Sequence, residues 1–157
     1  MSDKKSLLEK VTPKAVLKAK TVEAKRAIIK DCLGEGIIGI WEFPCRIGRE
    51  SRIHLVKGKQ VIAERHKLSD DSKPNNDIYL VDNGDLLHIS REHLQIEKDE
   101  SGYILTDRHS ACGITINDEV IGGQDKGANH LLKDGDFIRI GAENSPYLFE
   151  FISLENI

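Results

Sequence analysis

Ser90, Arg91 and His93 stand together in "HISREHLQI" (88–96), and Gly48-Arg49 closes "FPCRIGR" just before Glu50. A hydroxyl beside two guanidiniums is a donor set that holds a phosphate monoester. Such a group carries about −1.5 to −2 charges and three acceptor oxygens, which match forked and hydroxyl donors. A third cluster, Ser110-Ala111-Cys112-Gly113, lies in "HSACGITIND" (109–118). Taken singly these pairs are ordinary, because an isolated Gly-Arg or Ser-Arg is usually a turn followed by a solvated charge. His93 by itself reads as a hydrogen-bonded structural histidine rather than a catalyst.

The elements that must position these clusters are strands. From Gly36 onward come "IIGIW", "FPCRIG", "RIHLV", "QVIAERH", "DIYLV", "HLQIE", "YILT", "GITI", "DFIRI" and "YLFEFIS". Turn signals lie between most of them: Lys57-Gly58-Lys59, Pro74-Asn75-Asn76, Asn83-Gly84, Ser101-Gly102, Gly122-Gly123 and Asp134-Gly135. Short β-branched segments with regular turns predict an all-β sandwich. Its loops gather at the sheet ends, so clusters distant in sequence can build one site. The stretch 12–34 predicts one helix, with Thr12 as its cap, Pro13 in its first turn and Gly34 at its end. Val11, Ala15, Val22, Ile29 and Leu33 form its apolar stripe. Packing on the sandwich, docking on a partner and attracting nucleic acid are its three readings; for the last, no base-reading element or aromatic platform accompanies the charge.

Charge divides the 157 residues unevenly. Residues 1–33 hold nine Lys/Arg and four Asp/Glu, a net of +5, whereas residues 34–157 hold 14 and 22, a net of −8. The expected organisation is a basic helical extension (1–35) followed by a sandwich domain (36–157). Cys32, Cys45 and Cys112 are far apart and odd in number, which argues against a disulfide framework and fits a reducing compartment. The charged start and the lack of a long apolar run predict a cytoplasmic protein without membrane insertion. The six histidines show no HExxH spacing, so no metal or other cofactor is expected. Asp107, His109 and Ser110 are no triad, since neighbours on extended backbone point apart. No phosphate-gripping GxxxxGK[ST] loop is present. No enzyme is read here.

In order, "IGRES", "NNDIYL", "SREHLQI", "SACGITIN" and "LKDGDFIRIG" resemble the forkhead-associated (FHA) domain, a phosphothreonine-peptide-binding β-sandwich of the SMAD/FHA type. The resemblance spans roughly residues 36–155. It implies that Arg49 binds the phosphate or adjacent backbone, Ser90 donates to the phosphate, and Arg91 adds a second cation. Ser110, Ala111 and Cys112 would complete the peptide-binding loop, with Gly48, His93 and Gly113 as supports. Two departures stand out. Ala111-Cys112-Gly113 replaces the family's Thr/Ser-Asn-Gly, whose asparagine holds the peptide main chain. Arg49 and Ser90 are also unusually far apart, with an insertion at about 52–74 expected beside the ligand face. The function implied is a non-catalytic phosphothreonine-peptide-binding adaptor, without a small-molecule substrate, in protein–protein signalling. Its alternatives are a phosphate-independent FHA-fold assembly protein and a small hydrolase using the histidines.

Overall fold

Strands whose side chains alternate between buried and more exposed positions build most of this molecule, as in Leu148–Ser153, where Phe149 and Phe151 are fully buried and their neighbours are not. The computed structural model describes residues 2–29, 33–50, 53–56, 59–62, 74–84 and 86–155. In chain order the elements are α1 (Ser2–Val11), β1 (Ala15–Ala19), α2 (Val22–Ala27), β2 (Ile37–Ile40) and β3 (Cys45–Arg49). Then come β4 (Ile53–Val56), β5 (Lys59–Ile62), β6 (Ile78–Leu80), β7 (Leu94–Asp99) and β8 (Gly102–Asp107). The last are β9 (Ile114–Ile116), β10 (Glu119–Ile121), β11 (Ala128–Leu132), β12 (Phe137–Ile140) and β13 (Leu148–Ser153).

Two sheets make the sandwich. One runs β10-β9-β12-β13-β1-β2 and the other β11-β8-β7-β3-β6. All pairings are antiparallel except β3 with β6, which is parallel with Gly48 opposite Tyr79. One core fills the space between the sheets, with Leu17, Ile38, Ile40, Ile138, Phe149 and Phe151 from the first and Ile47, Leu94, Ile96 and Leu105 from the second. Of the expected insertion, the described part is the β4–β5 pair, in which Val56 faces Lys59. Its remaining residues, except Pro74, lie outside the described residues.

The N-terminal helix is present, but it is α1, and the single helix expected across 12–34 is corrected. Ala15–Ala19 is a strand between β13 and β2, with Leu17 opposite Phe151 on one side and Ile38 on the other. Ala15, Val16 and Leu17 are buried in succession, a pattern that a helix with one apolar stripe does not produce. Helix propensity is a weak bias, and an interior strand slot overrides it. α2 follows, capped by Thr21, whose Oγ1 accepts from Ala24 N at 3.1 Å and donates to Pro146 O at 2.5 Å. Its buried Ala24 and Ala27 join the core, and Ala27 O accepts from Val81 N. By contrast, Leu7, Leu8 and Val11 of α1 are exposed.

That difference is testable. Leu17→Ala should cost about 2–5 kcal/mol by cavity formation, whereas Leu7→Ala should leave stability within about 0.5 kcal/mol. Denaturant melts of both variants check it. Equal effects would remove β1 from the core.

Candidate functional site

The candidate site is assembled from three loop ends that share hydrogen bonds. Arg49 ends β3 and is tied to the following loop twice. Its backbone N donates to Ser90 O and its Nε to Ile89 O, each at 2.9 Å. Its two terminal nitrogens make no hydrogen bond among the described residues, so the outer edge of the guanidinium is free to meet an anion. Ile89 is itself fixed, being buried and donating its N to Asp82 Oδ2 at 2.9 Å. The buried Asp82 carboxylate also accepts from His88 N at 2.6 Å and Tyr147 Oη at 2.7 Å. One core carboxylate thus sets the backbone onto which Arg49 is fastened.

Ser90 Oγ accepts from Ala111 N at 3.1 Å, which leaves its O–H available to donate outward. His93 joins the same two loops from beneath. Its Nδ1 accepts from Ser90 N at 2.9 Å, which places the ring proton on Nε2, and Nε2 donates to Gly113 O at 2.7 Å. The ring is fully buried, and that burial holds its pKa below the ordinary 6.5, so the imidazole is a neutral brace. Gly113 has φ 76°, and a Cβ there would lie 2.7 Å from Ile121 O, so both backbone angle and space require glycine.

The third cluster divides. Ala111 is exposed, and Cys112 is half-buried with its thiol 3.6 Å from Leu87 O. Ser110, expected to face the peptide, is instead fully buried. Its hydroxyl donates to the Asp107 carboxylate and accepts from Gly113 N at 3.0 Å, so it braces the turn from within. Arg91 is exposed and its guanidinium has no partner among the described residues, while its carbonyl accepts from Asn76 Nδ2 at 2.6 Å. Arg49, Ser90, Ala111 and Cys112 therefore belong to one connected rim, with Arg91 beside it.

The FHA domain model matches residues 45–141, more than half of the chain. The chain belongs to the FHA-domain family. It is similar in structure to the FHA domain of CT664 from Chlamydia trachomatis, with 15% identity, a TM-score of 0.50, and coverage of 88% of this chain and 96% of that one. It is similar as well to the yeast Pml1 splicing factor, at 16% identity and TM-score 0.50, covering 89% of this chain and 79% of that one. A further similar structure is Mycobacterium tuberculosis EmbR in complex with a low-affinity phosphopeptide, at 19% identity and TM-score 0.49. That match covers 97% of this chain and 29% of EmbR, so the chain spans under a third of that protein. At such identities the likeness is one of fold. No curated protein matches the chain.

Several residues that support this FHA site carried no role in the sequence. Asp107 is buried and accepts from both the N and Oγ of Ser110. Asn76 is buried and joins Arg91 O to the Arg108 guanidinium, whose Nη1 donates to its Oδ1 at 2.7 Å. Asn76 lies in the "NNDIYL" stretch, so its position was legible although its partners were not. Gly48 supports the site by having no side chain. A Cβ on Gly48 would sit 2.1 Å from Arg91 O and 2.7 Å from Asn76 Nδ2. The glycine is the space into which the Ser90-Arg91 backbone packs. Gly48→Ala should therefore cost roughly 1–3 kcal/mol by overpacking, lowering Tm by about 5 °C. A thermal melt unchanged from wild type would contradict this contact.

Among the described residues, no group of three or more His, Cys, Asp or Glu is arranged to hold a metal ion. None of their helices is long and apolar enough to cross a membrane.

Proposed function

We propose that this FHA protein is a non-catalytic adaptor that binds a phosphothreonine segment of a partner protein. The observation that carries the reading is the division of labour within Arg49 and Ser90. Their inner polar atoms are fixed to neighbouring backbone, whereas the outer Arg49 nitrogens and the Ser90 O–H remain available. Donors held in place before the ligand arrives lose little freedom on binding. Arg49 and Ser90 take the phosphate, Arg91 adds positive charge beside them, and the Ala111-Cys112 edge meets the peptide. Switching then comes from a kinase and a phosphatase acting on the partner. A library of phosphothreonine peptides with matched unphosphorylated partners tests this. Selection of phosphorylated members supports it, and equal recovery of both sets refutes it.

A second reading, phosphate-independent assembly on the same fold, is favoured by Cys112. Its thiol stands where an amide with two donors and an acceptor would hold a peptide main chain. On the adaptor reading, Cys112→Asn adds one or two peptide hydrogen bonds, each worth about 0.5–1.5 kcal/mol net, and raises affinity several-fold. On the assembly reading it changes no phosphopeptide affinity. Isothermal titration of both proteins separates the two.

A further inference from the structure

Arg91 also lines a depression of about 410 Å³ together with Asn75, Glu92, Arg108 and His109. Neither Arg49 nor Ser90 borders it. Arg108 is the built part of this surface. Its side chain is only 17% exposed, and its Nη1 and Nη2 donate to Asn76 Oδ1 at 2.7 Å and Asn75 O at 3.1 Å. These acceptors are neutral, so they orient the guanidinium without cancelling its charge. Among the described residues, the sole carboxylate lining the depression is Glu92, half-exposed, with Oε2 3.6 Å from Arg108 Nη2. That contact is long and screened by solvent. Among these lining residues, two guanidiniums against one carboxylate leave a net positive charge.

We propose that Arg91 and Arg108 form a second anion subsite, which takes a carboxylate or a second phosphate carried by the same partner segment. The inference rests on the phosphothreonine reading above and extends it to sequence preference.

The two subsites are mechanically continuous. Arg91 follows Ser90 directly, and its carbonyl hangs on the amide of Asn76, which also holds Arg108. The Arg108 backbone N donates to His93 O at 2.8 Å, and His93 braces the phosphate loop. Burial lowers the Arg108 pKa despite the nearby Glu92, as expected for a cation whose surroundings compensate it incompletely. An arriving anion replaces the long Glu92 contact with shorter charged hydrogen bonds. A partner in extended form advances about 3.3 Å per residue, so its second anion lies within a few residues of the phosphothreonine.

The test uses the full chain and one phosphothreonine peptide selected from the library, rebuilt with alanine at the four positions on each side. Glutamate, and separately phosphoserine, is then placed at each position and Kd measured. At least one position should tighten binding about fivefold. A larger gain for glutamate names an acidic side chain as the source, and a larger gain for phosphoserine names a second phosphate. Arg108→Gln should abolish that gain, read as the ratio of Kd between the acidic and all-alanine peptides on the same variant, whatever the variant's affinity for the parent. Glu92→Gln, on the surface, should enlarge the gain and reports even if Arg108→Gln fails to fold. The subsite is overturned if no position gains. It is also overturned if Glu92→Gln leaves the gain unchanged, or if folded Arg108→Gln retains it. Equal binding of the phosphorylated and unphosphorylated parent peptides is a separate result, which overturns the primary reading and this subsite with it.

Discussion

Arg49→Ala should weaken phosphothreonine-peptide binding roughly 10- to 150-fold, the equivalent of the 1.5–3 kcal/mol carried by a charged hydrogen-bonded contact. The same change removes the Nε bond to Ile89 O, a side chain-to-backbone bond in a half-buried setting. That loss costs about 1 kcal/mol of stability and leaves a cooperative fold. Affinity should therefore fall far more than Tm. Arg49→Lys separates charge from geometry. It keeps the positive charge but loses the fork that reaches Ile89 O and an anion together, so its affinity should lie between wild type and alanine. Titration and melting of the three proteins on one peptide check both statements.

His93→Ala should act in the opposite proportion. It strips partners from Ser90 N and from the buried Gly113 O. Leaving two such groups unsatisfied costs roughly 2–6 kcal/mol, lowering Tm by about 10 °C. A pH signature accompanies this loss. The folded pKa of His93 lies below the ordinary 6.5, so from 6.5 downward the unfolded chain takes up a proton that the folded chain refuses. The stability from the neutral ring is complete above pH 6.5 and declines as pH falls towards the folded pKa. Wild-type Tm should drop between pH 7 and 5.5, and His93→Ala should be flatter over that interval. The carboxylates with lowered pKa, Asp77 and Glu155, titrate below this window.

Why some of this was legible in the sequence and some was not follows from individual residues. Ile37–Ile40 and Leu148–Ser153 show period-two alternation or β-branched runs, and both are strands. Ala15–Ala19 fails that test because alanine and lysine favour helices, and only the slot between β13 and β2 makes it a strand. Glu119–Ile121 and Ala128–Leu132 carry no clear strand signal either, one being three residues long and the other opening on alanine and asparagine. In the site, side-chain type exposed Arg49, Ser90 and His93 as candidates. Burial is not written in type, so Ser110 looked like a ligand-facing hydroxyl although Asp107 and Gly113 hold it inside. Arg108 carries no local signal of its role, because its anchors Asn75 and Asn76 lie over thirty positions away.

Dependence on a single phosphoryl group is the central claim, and a matched titration measures it most directly. One library-selected peptide is prepared with threonine, phosphothreonine and glutamate at the same position and titrated calorimetrically into the full chain at two salt concentrations. The phosphothreonine form should bind at least tenfold more tightly than either other form, the equivalent of about 1.4 kcal/mol or more, and its advantage should shrink as salt rises. Equal affinities for the threonine and phosphothreonine peptides would contradict the account, whatever their absolute values.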